Sequence, residues 1–269
     1  MIIYCDGDSY IAGTELGDDI LPEYPGCLPI YHSKKDLVNN RRWLDRTNDN
    51  GDLSQIRNQL REKIGFLEKE RAFPKKIAKK LNIEVVNAAL GGSSMDAICR
   101  RTLSNLIKLK DKDNVVAVVG ISDPWRFELP NSNNDTVPWI CIHPFSSGDH
   151  IKDVMKYMVS TSKFYHSMVK FYKNVITIQD FCKLNNIRLI FIDRNLIRLA
   201  ETQIKIVETQ FENCEDYINL KNYSNFKANL NISLSDLGCT FKTESILCPS
   251  YHYAEIVHEY IADEIIKLL

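Results

Sequence analysis

Apolar residues along this chain fall into short continuous runs separated by segments with helical spacing. Ile2, Ile3 and Tyr4 form the first run, which stops at Asp6-Gly7-Asp8. A run of this kind backed by turn residues predicts a buried strand that ends in a loop. From about 17 to 64 the pattern dissolves into Gly, Pro, Asn, Asp and Arg with only short apolar pieces. That stretch predicts a long loop or insertion, a feature usually tied to function in a compact domain. Phe73, Ile77, Ala78 and Leu81 then recur at helical spacing, and Pro74 suits the start of a helix, where its missing N–H has no partner to lose. A second strand is expected over 83–89, followed by Gly91-Gly92-Ser93-Ser94. A helix over 95–110 follows, with Ile98, Leu103, Leu106 and Ile107 facing inward. Residues 115–119 are the most apolar stretch and lie between Asn114 and Gly120, as a central parallel strand would. After an aromatic-rich segment, 151–184 reads as a long helical region and 187–192 as a fourth strand ending at Asp193. Ile256, Val257, Tyr260, Ile261, Ile265 and Leu268 mark a last helix over 254–269.

Strand and helix patterns that alternate in this way predict an α/β fold: a flavodoxin-like parallel sheet with helices on both faces, a three-layer α/β/α sandwich. We read residues 1–269 as one domain carrying an insertion at about 17–64. In such sheets ligands bind beyond the carboxyl ends of the strands. The candidates are therefore Asp8-Ser9, Gly91-Gly92-Ser93, Gly120-Ile121-Ser122-Asp123 and Asp193. A nucleotide-binding reading ranks last, because the chain has no GxGxxG and no P-loop.

Composition narrows the classes. Apolar residues make up 44% and charged residues 26%, which excludes a wholly disordered or collagen-like chain. Lys plus Arg number 34 against 35 Asp plus Glu, a net charge of -1 without the basic excess that nucleic-acid or anionic-membrane binding calls for. The eight cysteines are scattered and form no CxxC pair, so neither a disulfide framework nor a zinc site has sequence support. His143 and His150, with Asp149 nearby, fit no standard metal-ligand spacing, and no cofactor or metal is expected. The start, MIIYCDGDSY, has no basic region followed by an apolar core, and no run approaches 18 apolar residues. The expectation is a soluble, cytoplasmic protein.

A lone serine after a strand is ordinarily a turn or cap residue. Ser9 differs by its company. An acyl-transfer site needs a nucleophile, a base within reach, and donors aimed at the developing oxyanion. Gly92 follows the second strand, where a bare backbone N–H can approach a ligand. Ser122 follows the third strand with a hydroxyl, and His252 stands just before the last helix.

Taken together these blocks resemble the SGNH, or GDSL-type, hydrolases. Gly7-Asp8-Ser9 matches the first block of that family, Asn87-Ala88-Ala89-Leu90-Gly91-Gly92-Ser93 the second and Gly120-Ile121-Ser122-Asp123 the third. His252 matches the histidine of the last loop. The resemblance runs in order from one end of the chain to the other. It implies an ester hydrolase with Ser9 as nucleophile and His252 as general base, and an oxyanion hole from the N–H groups of Ser9 and Gly92 with Ser122 as third donor. Two positions depart from the pattern. Ser122 stands where the family has Asn, and Pro249 where its orienting acid precedes the histidine; Asp236, Glu244 and Glu255 are the nearby acids. Loss of such an acid can lower the rate by orders of magnitude without abolishing it.

The third block is also similar to the Gly-x-Ser/Thr-x-x-x-Arg of a divergent bacteriophage group within that family, through Gly120, Ser122 and Arg126. In that reading Arg126 faces a carboxylate or sugar acid, or forms a structural ion pair. Asp8, Asp123 and Trp139 join it as further substrate-binding candidates, the tryptophan as a sugar-stacking platform or a core plug. His258, six residues beyond His252, reads as a helix-surface or packing residue. Two functions follow from the resemblance. One is a serine esterase acting on O-acyl esters, O-acetyl esters first, with a carbohydrate or other small molecule as substrate, through an acyl-enzyme. The other is a catalytically weakened domain serving as a structural or binding protein, for instance in a virion or a self-assembly. Neither calls for nucleic acid or membrane as a partner.

Overall fold

Runs of Val and Ile line up side by side because a strand buried on both faces has only backbone groups to satisfy, and neighbouring strands satisfy them. The structure, a computed structural model, describes residues 1–14, 16–21, 55, 58–109, 114–130, 139–142, 164–193, 215–224, 230–233 and 253–269. Among the described residues five strands form one parallel sheet: β1 (Ile2–Asp6), β2 (Glu84–Asn87), β3 (Val115–Gly120), β6 (Arg188–Asp193) and β7 (Leu230–Ser233), in the order β2-β1-β3-β6-β7. Ile2 is level with Glu84 on one side and Val115 on the other. Strands β4 (Phe127–Pro130) and β5 (Trp139–Ile142) make a separate antiparallel pair.

Alternation along the strands sends side chains to two cores. Ile3, Cys5, Val116, Val118, Ile190 and Ile192 face α3 (Phe73–Leu81) and α7 (Glu255–Leu268), meeting Phe73, Ile77, Val257, Ile261 and Ile265. Tyr4, Ala117, Val119 and Phe191 face α4 (Met95–Leu109) and α5 (Phe164–Leu184), meeting Ile98, Leu106, Phe171, Val175 and Ile178. The three-layer α/β/α sandwich with a flavodoxin-like parallel sheet is thus the observed architecture. Taken in sequence order the strands run 2-1-3-4-5, so the chain turns from one half of the sheet to the other at β1 and β3. In sheets of this order ligands bind beyond the carboxyl ends of the strands at that switch point.

Several elements differ from expectation. Helix α2 (Arg61–Arg71) begins inside the stretch read as an unpatterned insertion; Ile64 is its one buried side chain, so it carries no apolar stripe to see. A 3-10 turn at Asp18–Ile20 opens that stretch. Strand β2 is shorter than 83–89 and half exposed, as an edge strand. Ile107, expected inside, is 53% exposed, because the α4 stripe runs through Ile98, Thr102 and Leu106 instead. The hairpin β4–β5, helix α6 (Glu215–Ser224) and strand β7 were not foreseen. Most of 17–64, residues 151–163, and the loop carrying His143 and His150 lie outside the described residues. No helix among the described residues is long and apolar enough to cross a membrane.

Candidate functional site

The switch-point loops are built around glycines. A Cβ on Gly7 (φ +158) would lie 2.3 Å from Ile11 Cγ1, and a Cβ on Gly120 would meet the same atom at 2.3 Å. Ile11 therefore wedges between the ends of β1 and β3, and only glycine leaves room on both sides. It belongs to α1 (Ser9–Ala12), whose N-cap is Asp8: the buried carboxylate accepts the Tyr10 N–H at 3.1 Å. Ser9 opens this helix and is 6% exposed. Among the described residues its hydroxyl has no hydrogen-bond partner.

The loop after β2 runs beside the Gly7–Ser9 turn. Ala88 N–H donates to the Cys5 carbonyl at 2.9 Å and Leu90 N–H to the Gly7 carbonyl at 3.2 Å, extending the strand pairing past Asn87. A Cβ on Gly91 would stand 3.7 Å from Ser9 Cβ, so this loop and the nucleophile candidate are neighbours. Gly92 has φ +77, a left-handed conformation that favours glycine, and a Cβ there would meet nothing within 4 Å. Its backbone is open to an approaching ligand. Ser94 caps α4 by accepting the Ala97 N–H at 3.2 Å.

The loop after β3 locks onto this one. Ser122 is wholly buried; its hydroxyl donates to the Ser93 carbonyl at 2.6 Å, and its N–H points at Met95 Sδ at 3.4 Å. The single proton of that hydroxyl is engaged, so service as a third oxyanion donor would require the bond to Ser93 to open. The Asp123 side chain accepts the Trp125 N–H at 2.9 Å and its carbonyl accepts the Arg126 N–H at 3.1 Å, which makes it a turn residue. Arg126 reaches back: Nη1 lies 3.6 Å from Asp8 Oδ2 and 3.5 Å from the Ser93 carbonyl.

From the last loop, His252, Pro249, Asp236 and Glu244 lie outside the described residues. Tyr253 packs its ring edge-on against Tyr10, centroids 4.9 Å apart. Each of these tyrosines is the chain neighbour of a predicted catalytic residue, His252 and Ser9 respectively. Glu255 turns away to α3, 2.7 Å from Lys76 Nζ. His258 is a packing residue: it is buried, and Nδ1 accepts the Phe73 N–H at 3.2 Å. Trp139 sits elsewhere. It is 40% exposed, lies 5.2 Å from the Arg100 guanidinium, and lines a groove of about 460 Å³ with Asp96, Glu128 and Lys170. Ser9, Gly92 and Ser122 are not part of that groove.

Sequence reasoning missed what stands behind the loop that carries Ser9. Asp6 is completely buried at the end of β1 and accepts from Gly7 N–H (2.7 Å), the Tyr4 hydroxyl (2.7 Å), the Thr102 hydroxyl (3.1 Å) and Arg101. Burial pushes the Asp6 carboxyl upward, against the hydrogen bonds and charge of Arg101 that favour the ion. Burial and then the Asp6 charge push the Tyr4 phenol far up. Desolvation likewise raises Cys99 to about 11 and Cys182 to about 12, which removes thiolate chemistry from these core cysteines at neutral pH. Among the described residues no cluster of His, Cys, Asp or Glu could hold a metal ion.

No protein-family model matches the chain, and no curated protein matches it. Solved structures do. TesA overlaps 98% of this chain and 96% of its own, at 9% identity and a TM-score of 0.47. A G-D-S-L family protein from Desulfitobacterium hafniense DCB-2 overlaps 100% and 99%, at 12% identity and 0.46. A carbohydrate esterase with divergent catalytic and non-catalytic binding functions at its active site overlaps 99% of this chain and 63% of its own, at 12% identity and 0.40. Likeness at this level carries no argument about activity or site.

Proposed function

We propose that this protein is a serine ester hydrolase of the SGNH kind, acting on O-acyl groups, O-acetyl first, with a carbohydrate as the alcohol. The observation that carries the reading is the meeting of three loops at the switch point, with the Gly91 position 3.7 Å from Ser9 Cβ and the left-handed Gly92 open beside it. The Tyr10–Tyr253 contact supports His252 as the partner. Ser9 Oγ attacks the ester carbonyl while His252 takes its proton. The N–H groups of Ser9 and Gly92 stabilise the oxyanion, a contribution of several kcal/mol in enzymes of this chemistry. The C–O bond to the alcohol then breaks, and the alcohol leaves with the proton from His252. Water, deprotonated by the same histidine, attacks the acyl-enzyme and releases the carboxylic acid. Arg126, beside Asp8, is suited to an anionic group on the substrate.

Three observations favour the second reading, a weakened catalyst used as a binding or structural component, of virion type. Ser122 is engaged by Ser93, Glu255 is engaged by Lys76, and Pro249 occupies the position of the usual acid. Hydrolysis of p-nitrophenyl acetate decides between them. The esterase reading expects turnover that disappears in Ser9→Ala and falls by orders of magnitude in His252→Ala. A folded wild type no faster than Ser9→Ala leaves the binding role.

A further inference from the structure

A buried ion pair is weak support for stability in itself, because desolvation offsets most of the attraction. The Asp6–Arg101 pair therefore calls for another account, and the remaining contacts of Arg101 supply it. Nε bonds Asp6 Oδ1 and Oδ2 at 3.0 and 3.2 Å, and Nη2 bonds Asp6 Oδ1 as well. Nη2 also donates to the Gly7 carbonyl at 3.1 Å, two residues before Ser9. Nη1 donates to Ser93 Oγ at 3.1 Å, next to Gly92. Ser93 in turn donates to the Leu90 carbonyl at 2.8 Å and accepts the Ser122 hydroxyl on its own carbonyl. One planar guanidinium thus holds the loop that carries Ser9 and the loop that carries Gly92 at fixed separation. Asp6, locked by Tyr4 and Thr102, fixes the guanidinium. A point charge could neutralise Asp6; only the fork of an arginine reaches all three partners at once.

We infer that Arg101 is a positioning residue that sets the spacing of the Ser9 and Gly92 N–H groups through its bridge from Gly7 to Ser93. The inference rests on the esterase reading and adds to it a device behind the site that touches no substrate. Oxyanion donors work only when aimed within tenths of an ångström of the developing charge, and a misplacement of about 1 Å costs on the order of 100-fold. A loosened bridge should therefore lower kcat and leave KM nearly alone.

The test uses steady-state hydrolysis of p-nitrophenyl acetate by the wild type, Ser9→Ala, Arg101→Lys, Ser93→Ala and the Arg101→Lys/Ser93→Ala double variant, with thermal melting of each. Ser93→Ala keeps the Asp6–Arg101 pair and removes only the far end of the bridge, so it remains informative if Arg101→Lys fails to fold. The expected result is a kcat loss of about 10- to 100-fold in each folded single variant, with KM within about twofold and the double variant no worse than the poorer single. A kcat within about twofold of wild type in Ser93→Ala, or losses that simply multiply in the double variant, would overturn the inference. Absence of Ser9-dependent turnover in the wild type defeats the esterase reading itself, and the positioning role with it.

Discussion

Asp6 and Glu259 are both carboxylates paired with basic side chains, and they sit in opposite circumstances. Asp6 is sealed at the end of β1 with Arg101, Tyr4, Thr102 and the Gly7 N–H around it. Glu259 belongs to a ladder on the outside of the molecule, where Lys76 and Lys80 of α3 reach Glu255, Glu259 and Asp263 of α7 at 2.5–2.9 Å. The acids of that ladder are 42–51% exposed. The same chemistry has different consequences because water and salt can replace any partner in the ladder, while nothing can replace a partner of Asp6. The ladder tunes how α3 and α7 hold together; the buried network fixes where two loops end, and those loops carry the candidate site.

Removing the acid on each side measures that contrast. Asp6→Ala should be the most damaging change, since it strands the Arg101 charge and the Tyr4 and Thr102 hydroxyls; we expect a loss of about 3–5 kcal/mol by urea denaturation. Asp6→Asn, which keeps an acceptor, should lose less. An intermediate case is His258→Ala, which leaves the Phe73 N–H without its acceptor at the start of α3 and removes the ring stacked on Phe73. About 2 kcal/mol should go, read from the same denaturation curves. Glu259→Gln should be the mildest, about 0.5 kcal/mol at low salt and nothing measurable at high salt. Its pH dependence has a defined sign. Lys80 and then Lys76 hold the Glu259 carboxyl below the usual range, so its contribution is present above the unfolded value of about 4.3 and is lost as pH falls through the lower folded value. Wild type and Glu259→Gln should therefore converge in acid, and a difference that grows on acidification would contradict the assignment.

The central sheet was legible because β1, β3 and β6 each bury a continuous apolar run, and the switch-point serine and glycines stand directly behind such runs. Strand β7 was not, since Leu230–Ser233 mixes Asn and Ser with its apolar residues and offers no run to find. Helix α2 was missed for the same kind of reason: a single buried Ile64 leaves no period. The site divides similarly. Ser9 and Gly92 announce themselves through local sequence, but the Asp6–Arg101 partnership joins residues 95 positions apart. The helical spacing over 95–110 marks only apolar positions, and the packing of α4 on β1 is what turns Arg101 toward Asp6. A periodicity argument finds apolar stripes; it has no means of finding a charge that is buried because another charge awaits it.

Everything proposed for this site depends on Ser9 acting as a nucleophile beside the open Gly92 backbone. Intact-mass analysis after exposure to a fluorophosphonate tests it without any assumption about the natural ester. A single adduct is expected, mapped to Ser9 by peptide sequencing, absent from Ser9→Ala and slowed in His252→Ala. A wild type that stays unmodified while correctly folded, or an adduct that persists in Ser9→Ala, would contradict it.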